Sequence, residues 1–137
     1  MTIETAKPEE LSQILRYDRH IPQNLLAQCV DAGHMLVLKN EDQILGILRW
    51  SLFWQTIPFL DLIFLDEALR GKGCGTRMMA HWEARMVKEG YAHVMTSTQE
   101  DESAWQFYEK LGYQKIGTFL PPDQEAPELM YCKKISK

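Results

Sequence analysis

The chain has 137 residues, a length that fits a single domain able to bury its own core. Apolar residues make up 45% and charged residues 25%, which excludes a disordered or collagen-like chain. Fifteen Lys and Arg against nineteen Asp and Glu leave a net charge of -4, an argument against nucleic-acid or anionic-membrane partners.

Residues 2–6 are expected to form a short strand. Pro8 suits a first helical turn, and Leu11, Ile14 and Leu15 then share one helical face. A second short helix is expected over 22–32, stopped by Gly33. Two apolar runs, 34–39 and 43–50, flank the polar turn Asn40-Glu41-Asp42 and read as a hairpin. A third strand spans 57–65, with Pro58 tolerable at an edge or a first strand residue. A glycine-rich loop over 70–76 then leads into a helix over 75–89, whose apolar face is Met78, Met79, Trp82 and Met86. After Gly90 comes a strand over 91–97. Strand, helix, strand at this length is a crossover, so 57–65 and 91–97 should be parallel. Asp101 is expected to cap a short helix carrying Ala104, Phe107, Tyr108 and Leu111, stopped by Gly112. Two last strands, 113–119 and 128–134, flank Pro121-Pro122. The sum is a mixed α/β, or α+β, layered domain over 1–137.

Cys29, Cys74 and Cys132 are odd in number and far apart, which does not read as a disulfide framework. Residues 1–5 lack the basic-then-apolar build of a signal peptide. The longest apolar stretch, 57–65, is interrupted by Pro58 and Asp61 and is far shorter than the roughly 20 residues a membrane helix needs. A cytoplasmic protein is expected. His20, His34, His81 and His93 show no ligand-like spacing, so no metal site is expected.

The most informative segment is 70–76, Arg70-Gly71-Lys72-Gly73-Cys74-Gly75-Thr76, at a strand-to-helix junction. Glycines there let the backbone approach a ligand, and the helix start offers unpaired N–H groups and a positive dipole end. Arg70, Lys72 and Arg77 add charge, so the expected guest is a phosphate or pyrophosphate. The Walker pattern is absent, and the Gly71-x-Gly73-x-Gly75 spacing does not fit the dinucleotide fingerprint. Cys74 at this helix start is expected as a small packed side chain rather than a nucleophile.

The pattern Arg-x-x-Gly-x-Gly at Arg70, Gly73 and Gly75 resembles the acyl-CoA loop of the GNAT acetyltransferase superfamily. The resemblance extends upstream to 61–67, Asp-Leu-Ile-Phe-Leu-Asp-Glu, and downstream to 104–113, which matches the family's Phe-Tyr-x-x-x-Gly-[Phe/Tyr] segment. It implies a mostly antiparallel sheet flanked by helices, with one parallel pair splayed to admit acetyl-CoA as cosubstrate. By the same resemblance, the backbone near Leu65 pairs with the pantetheine arm. The segment Arg70, Gly71, Lys72, Gly73, Cys74, Gly75 and Thr76 holds the pyrophosphate, and the acetyl group passes directly to an amine. Asp61 is the candidate base, because an unpaired charge inside an apolar strand is costly without a role; a place on the solvated sheet face, or pairing with Arg49, is the bland alternative. Tyr108 matches the family tyrosine that gives a proton to the leaving thiolate. Asp101 stands where many members carry a cofactor-contacting Asn, so that contact is not expected here.

The expected acceptor is a small-molecule or peptide amine, bound near Tyr17, Asp18, Arg19, His20, Trp50, Phe53, Trp54 and Gln55. A non-catalytic acyl-CoA sensor of the same fold is the alternative. A transferase acting on aminoacyl-tRNA is disfavoured by the acidic charge. The resemblance leaves a homodimer open.

Overall fold

The computed structural model describes residues 1–136. Its strands are β1 (Thr2–Thr5), β2 (Met35–Asn40), β3 (Gln43–Phe53), β4 (Ile57–Leu65), β5 (His93–Gln99), β6 (Gln114–Phe119) and β7 (Glu128–Lys134). Its helices are α1 (Leu11–Ile14), α2 (Gln23–Asp31), α3 (Cys74–Lys88) and α4 (Ala104–Lys110), with 3-10 turns at Pro8–Glu10 and Glu67–Leu69. The strands form one sheet in the order β1-β2-β3-β4-β5-β7-β6. The sheet is mostly antiparallel, and β4–β5 is its parallel pair, as the crossover argument requires.

That parallel ladder is two residue pairs long, Phe59 with Met95 and Leu60 with Thr96. Pro58 is the second residue of β4, a strand with neighbours on both sides rather than an edge. It precedes the first residue pair of the ladder with β5 by one residue.

The chain forms two compact units, Met1–Ser51 with Asp61–Ala84, and Leu52–Leu60 with the chain from Arg85 onward. The first unit packs α1 and α2 on the sheet through Ile14, Leu26 and Val30 against Met35, Val37, Ile44 and Ile47. Deeper along β3, Trp50 lies 6.3 Å from Trp82 of α3 and stacks on His34 at 5.3 Å. Both tryptophans are fully buried. The second unit centres on tyrosines, with the Tyr108 ring 5.7 Å from Tyr113 and 6.5 Å from Tyr131. Tyr131 donates its O–H to Glu109 at 2.7 Å.

Several element boundaries differ from the sequence expectation for local reasons. The Tyr91 N–H closes onto the Met86 carbonyl at the end of α3, so β5 starts at His93 rather than at 91. Asp101 is not the cap of α4. A turn at 99–102 intervenes, with the Glu102 N–H on the Gln99 carbonyl, and the N-cap position falls to Ser103. At the other end of α4, Gly112 takes φ 93 while Tyr113 donates back to the Tyr108 carbonyl, which anchors the helix turn that carries Tyr108. The β3–β4 turn places Trp54 and Gln55 at φ 55 and 61, with the Thr56 N–H on the Phe53 carbonyl. Trp54 is 78% exposed.

Candidate active site

The end of β4 is held from several sides within the first unit. A Cβ added at Gly46 of β3 would lie 2.7 Å from Leu65 Cδ2 and 3.3 Å from the Phe64 carbonyl oxygen, so a side chain here would force the Leu65 side chain to shift and crowd that carbonyl. The Asp66 N–H donates to Leu45, and the Asp66 carboxylate accepts from the Ala68 N–H at 3.1 Å. The Tyr17 hydroxyl donates to the Ile44 carbonyl at 3.1 Å and lies 3.3 Å from Asp66 Oδ2. Burial pushes the Tyr17 phenol up, and the charge and hydrogen bond of Asp66 add to that. Arg70 folds back onto the same junction. Its Nε donates to the Leu65 carbonyl at 3.3 Å, and its guanidinium carbon sits 5.1 Å over the Phe64 ring.

The loop that follows has the backbone of an anion cradle. Gly71 and Gly73 take φ 74 and 82, whereas Lys72 between them does not enter the left-handed region. A Cβ at either glycine would meet nothing within 4 Å, so the backbone here faces open space. The first α-helical bond of α3 runs from the Arg77 N–H to the Gly73 carbonyl, which leaves the N–H groups of Cys74, Gly75 and Thr76 without helical acceptors. Lys72, Thr76 and Arg77 are exposed, while Cys74 is buried, as a packed side chain should be. These features fit a phosphate group.

Asp61 lies in β4 with its side chain a quarter exposed. Arg49 Nη1 of β3 approaches Asp61 Oδ2 at 3.6 Å, and the same guanidinium binds Asp18 through Nε at 2.6 Å. Asp18 is fully buried, and its other oxygen accepts from the His20 N–H at 3.3 Å. Burial pushes the Asp61 carboxyl above the usual carboxylate range. Hydrogen bonding from Ser51 and the Arg49 charge act the other way, and the Asp18 charge reinforces the rise.

Tyr108 belongs to the second unit and is only 6% exposed. Burial raises its hydroxyl to about 12, partly offset by a hydrogen bond with Thr96. The Thr96 hydroxyl in turn donates to the Leu60 carbonyl at 3.0 Å, at the parallel ladder. The tyrosine therefore keeps its proton at neutral pH.

Ser51 and Thr96 do not announce themselves in the sequence, and Arg49 is legible there as a partner for Asp61 alone. A buried Arg on a strand also bearing Trp50 is the one available hint, since a charge there demands a partner. The residues expected around an acceptor have divided duties. Asp18 is committed to Arg49, Trp50 is core, Tyr17 holds the end of β4, and Trp54 stands exposed at its turn. Among the described residues no group of three or more His, Cys, Asp or Glu is placed to hold a metal, and no helix is long and apolar enough to cross a membrane.

The sequence profile of the acetyltransferase (GNAT) family matches residues 2–113. No curated protein matches the chain. Among solved structures, Ard1 from Thermoplasma volcanium superimposes with a TM-score of 0.86 at 18% identity, covering 99% of this chain and 98% of that one. The ribosomal-protein-S18-alanine N-acetyltransferase from Escherichia coli gives 0.81 at 16% identity, covering 99% and 94%. An aminoglycoside 6'-N-acetyltransferase complexed with coenzyme A gives 0.81 at 17% identity, covering 100% and 98%. At these identities the likeness is one of fold.

Proposed function

We propose, from the premise that this chain belongs to the acetyltransferase (GNAT) family, that it moves an acetyl group from acetyl-CoA directly to a primary amine of a small molecule or a peptide. The observation that carries this reading is Asp61, a partly exposed carboxylate in a central strand whose burial makes it more basic than usual. An amine must lose a proton to become acylated, and free amines are largely protonated at pH 7. The fold neighbours that act on a ribosomal-protein alanine and on an aminoglycoside support both acceptor classes, a peptide N-terminus and a small amine.

Acetyl-CoA supplies the acetyl group as an activated thioester. The amides and cations of 70–76 hold its pyrophosphate, and the Leu65 backbone lines its pantetheine arm. The Leu65 carbonyl accepts from Arg70 and has a second lone pair to offer the pantetheine arm. Asp61 takes the amine proton, directly or through water, as the C–N bond forms and the C–S bond breaks. Tyr108 donates a hydrogen bond to the departing sulfur. A phenol near 12 is a much weaker acid than a thiol of ordinary pKa about 8.5, so complete proton transfer from Tyr108 is unfavourable and the sulfur is protonated from solvent. Tyr108→Phe should lower kcat by about 10–100-fold and leave acetyl-CoA affinity unchanged, measured by steady-state kinetics beside calorimetry. Full turnover in that variant would remove the donor role.

Calorimetric titration with acetyl-CoA, with dephospho-CoA and pantetheine as controls, tests the loop. Binding is expected with both nucleotides and lost with pantetheine. Gly73→Ala, which forces a side chain into the left-handed region, should weaken acetyl-CoA binding by roughly ten-fold, the equivalent of about 1–2 kcal/mol of backbone strain. Thiol release with a panel of amines tests transfer. Tight binding with no turnover on any amine would favour the acyl-CoA sensor over the enzyme.

A further inference from the structure

We infer that Asp18 is a positioning residue for acetyl transfer: it engages Arg49 through Nε so that the guanidinium meets Asp61 at one loose corner, which leaves Asp61 able to accept a proton. The inference rests on the reading of Asp61 as the base. A guanidinium pairs best with a carboxylate through two parallel hydrogen bonds, and such a pair makes the carboxylate a poor base. Arg49 does not bind Asp61 that way. Its contact with Asp18 is 2.6 Å, a short charge-assisted hydrogen bond, whereas its contact with Asp61 is 3.6 Å, too long for one.

The burial of the three groups follows the same division. Asp18 is 0% exposed and the Arg49 side chain 8%, while the Asp61 side chain is 25% exposed. Two carboxylates share one guanidinium, so the Arg49 charge felt at Asp61 is opposed by the charge of Asp18. The other groups bearing on Asp61 are Ser51 on β3, which donates to it, and His34 before β2, which favours its charged form. Cys29 on α2 also feels Asp61, and its thiol is pushed up by burial, with Asp61 and Asp18 adding to the rise. His20 contacts the far oxygen of Asp18 and is mostly exposed.

The test uses the full chain with aspartate carboxyls labelled with 13C. The Asp61 midpoint is read by NMR titration, beside the acid limb of kcat/KM for a substrate amine. In Asp18→Asn the midpoint should fall by about one pH unit, with kcat lowered and the KM for acetyl-CoA unchanged. In Arg49→Gln it should rise. Asp18→Glu, which keeps the charge, should hold the acid limb near that of the parent protein. Opposite shifts, matched in the acid limb and restored by Asp18→Glu, are the signature, because a role in stability alone changes the amount of folded protein and moves no midpoint. Midpoints that stay put, or move together, overturn the inference while a parent acid limb matching the Asp61 midpoint still upholds the base. Opposite NMR shifts with unmoved acid limbs sink the base itself, and the positioning role with it. If Asp18→Asn does not fold, Arg49→Gln decides: a midpoint that fails to rise overturns the inference.

Discussion

Asp61→Asn is expected to lower kcat by about 100–1,000-fold, the range in which a positioned general base contributes. The substitution preserves size and the Ser51 contact but removes the proton acceptor. The pH dependence carries the stronger signal. In the parent protein the base is active only when ionised, so kcat/KM falls as pH drops through the Asp61 pKa, which burial has raised above the usual carboxylate range. In the variant that limb disappears, and the residual rate follows the fraction of free amine, which is smallest at low pH. The loss relative to the parent protein should therefore be largest at and below the Asp61 midpoint and shrink as pH rises toward the amine pKa. Steady-state rates between about pH 5 and 9, with circular dichroism to verify folding, measure it. An unchanged profile would make Asp61 a structural partner of Arg49.

The largest expected effect on stability comes from Asp18→Ala. Among the described residues, it leaves Arg49, with a side chain 8% exposed, with the 3.6 Å contact at Asp61 as its ion pair. Removing one member of a buried ion pair costs about 3–5 kcal/mol, because the remaining charge stays desolvated. For a chain of this size that lowers Tm by about 10–20 °C. Urea and thermal unfolding at neutral pH check it. A loss below about 1 kcal/mol would mean that Arg49 swings fully onto Asp61, and the activity of that variant should then collapse together with the basicity of Asp61.

The sequence is most legible where local chemistry decides structure. The crossover from β4 through α3 to β5, the helix stop at Gly112 and the glycine loop all follow from nearest-neighbour patterns. The split of the first helix into a 3-10 turn and one α turn is less legible, because the segment is held by distant groups. The Lys7 N–H is taken by the Glu10 carboxylate, and Glu10 is drawn to Lys39 at 2.6 Å. At the site, Asp61 stands out as a charge in an apolar strand, and pairing with Arg49 is foreseeable as its bland alternative. What the one-dimensional pattern cannot supply is the third member. Asp18 lies 31 positions before Arg49, in the loop between α1 and α2, and nothing around it in the sequence marks it as the group that governs that guanidinium. Thr96 is hidden for a similar reason, since a threonine in a strand is expected from β propensity alone. Arg70 reads as a free cation for phosphate, yet its guanidinium is stacked on Phe64 six positions earlier.

The turn between β3 and β4 bears on how the chain reaches its fold. Trp54, Gln55 and Thr56 connect the strands, and the first two take positive φ, a pair of conformations that suits Asn-Gly. Such a turn has little tendency to form ahead of its strands. The bend is therefore expected to close after the side chains of β3 and β4 have met, which transition-state analysis of turn variants would check. The turn is then a place where strain is stored after the barrier has been crossed, felt in how fast the native protein opens more than in how fast it forms.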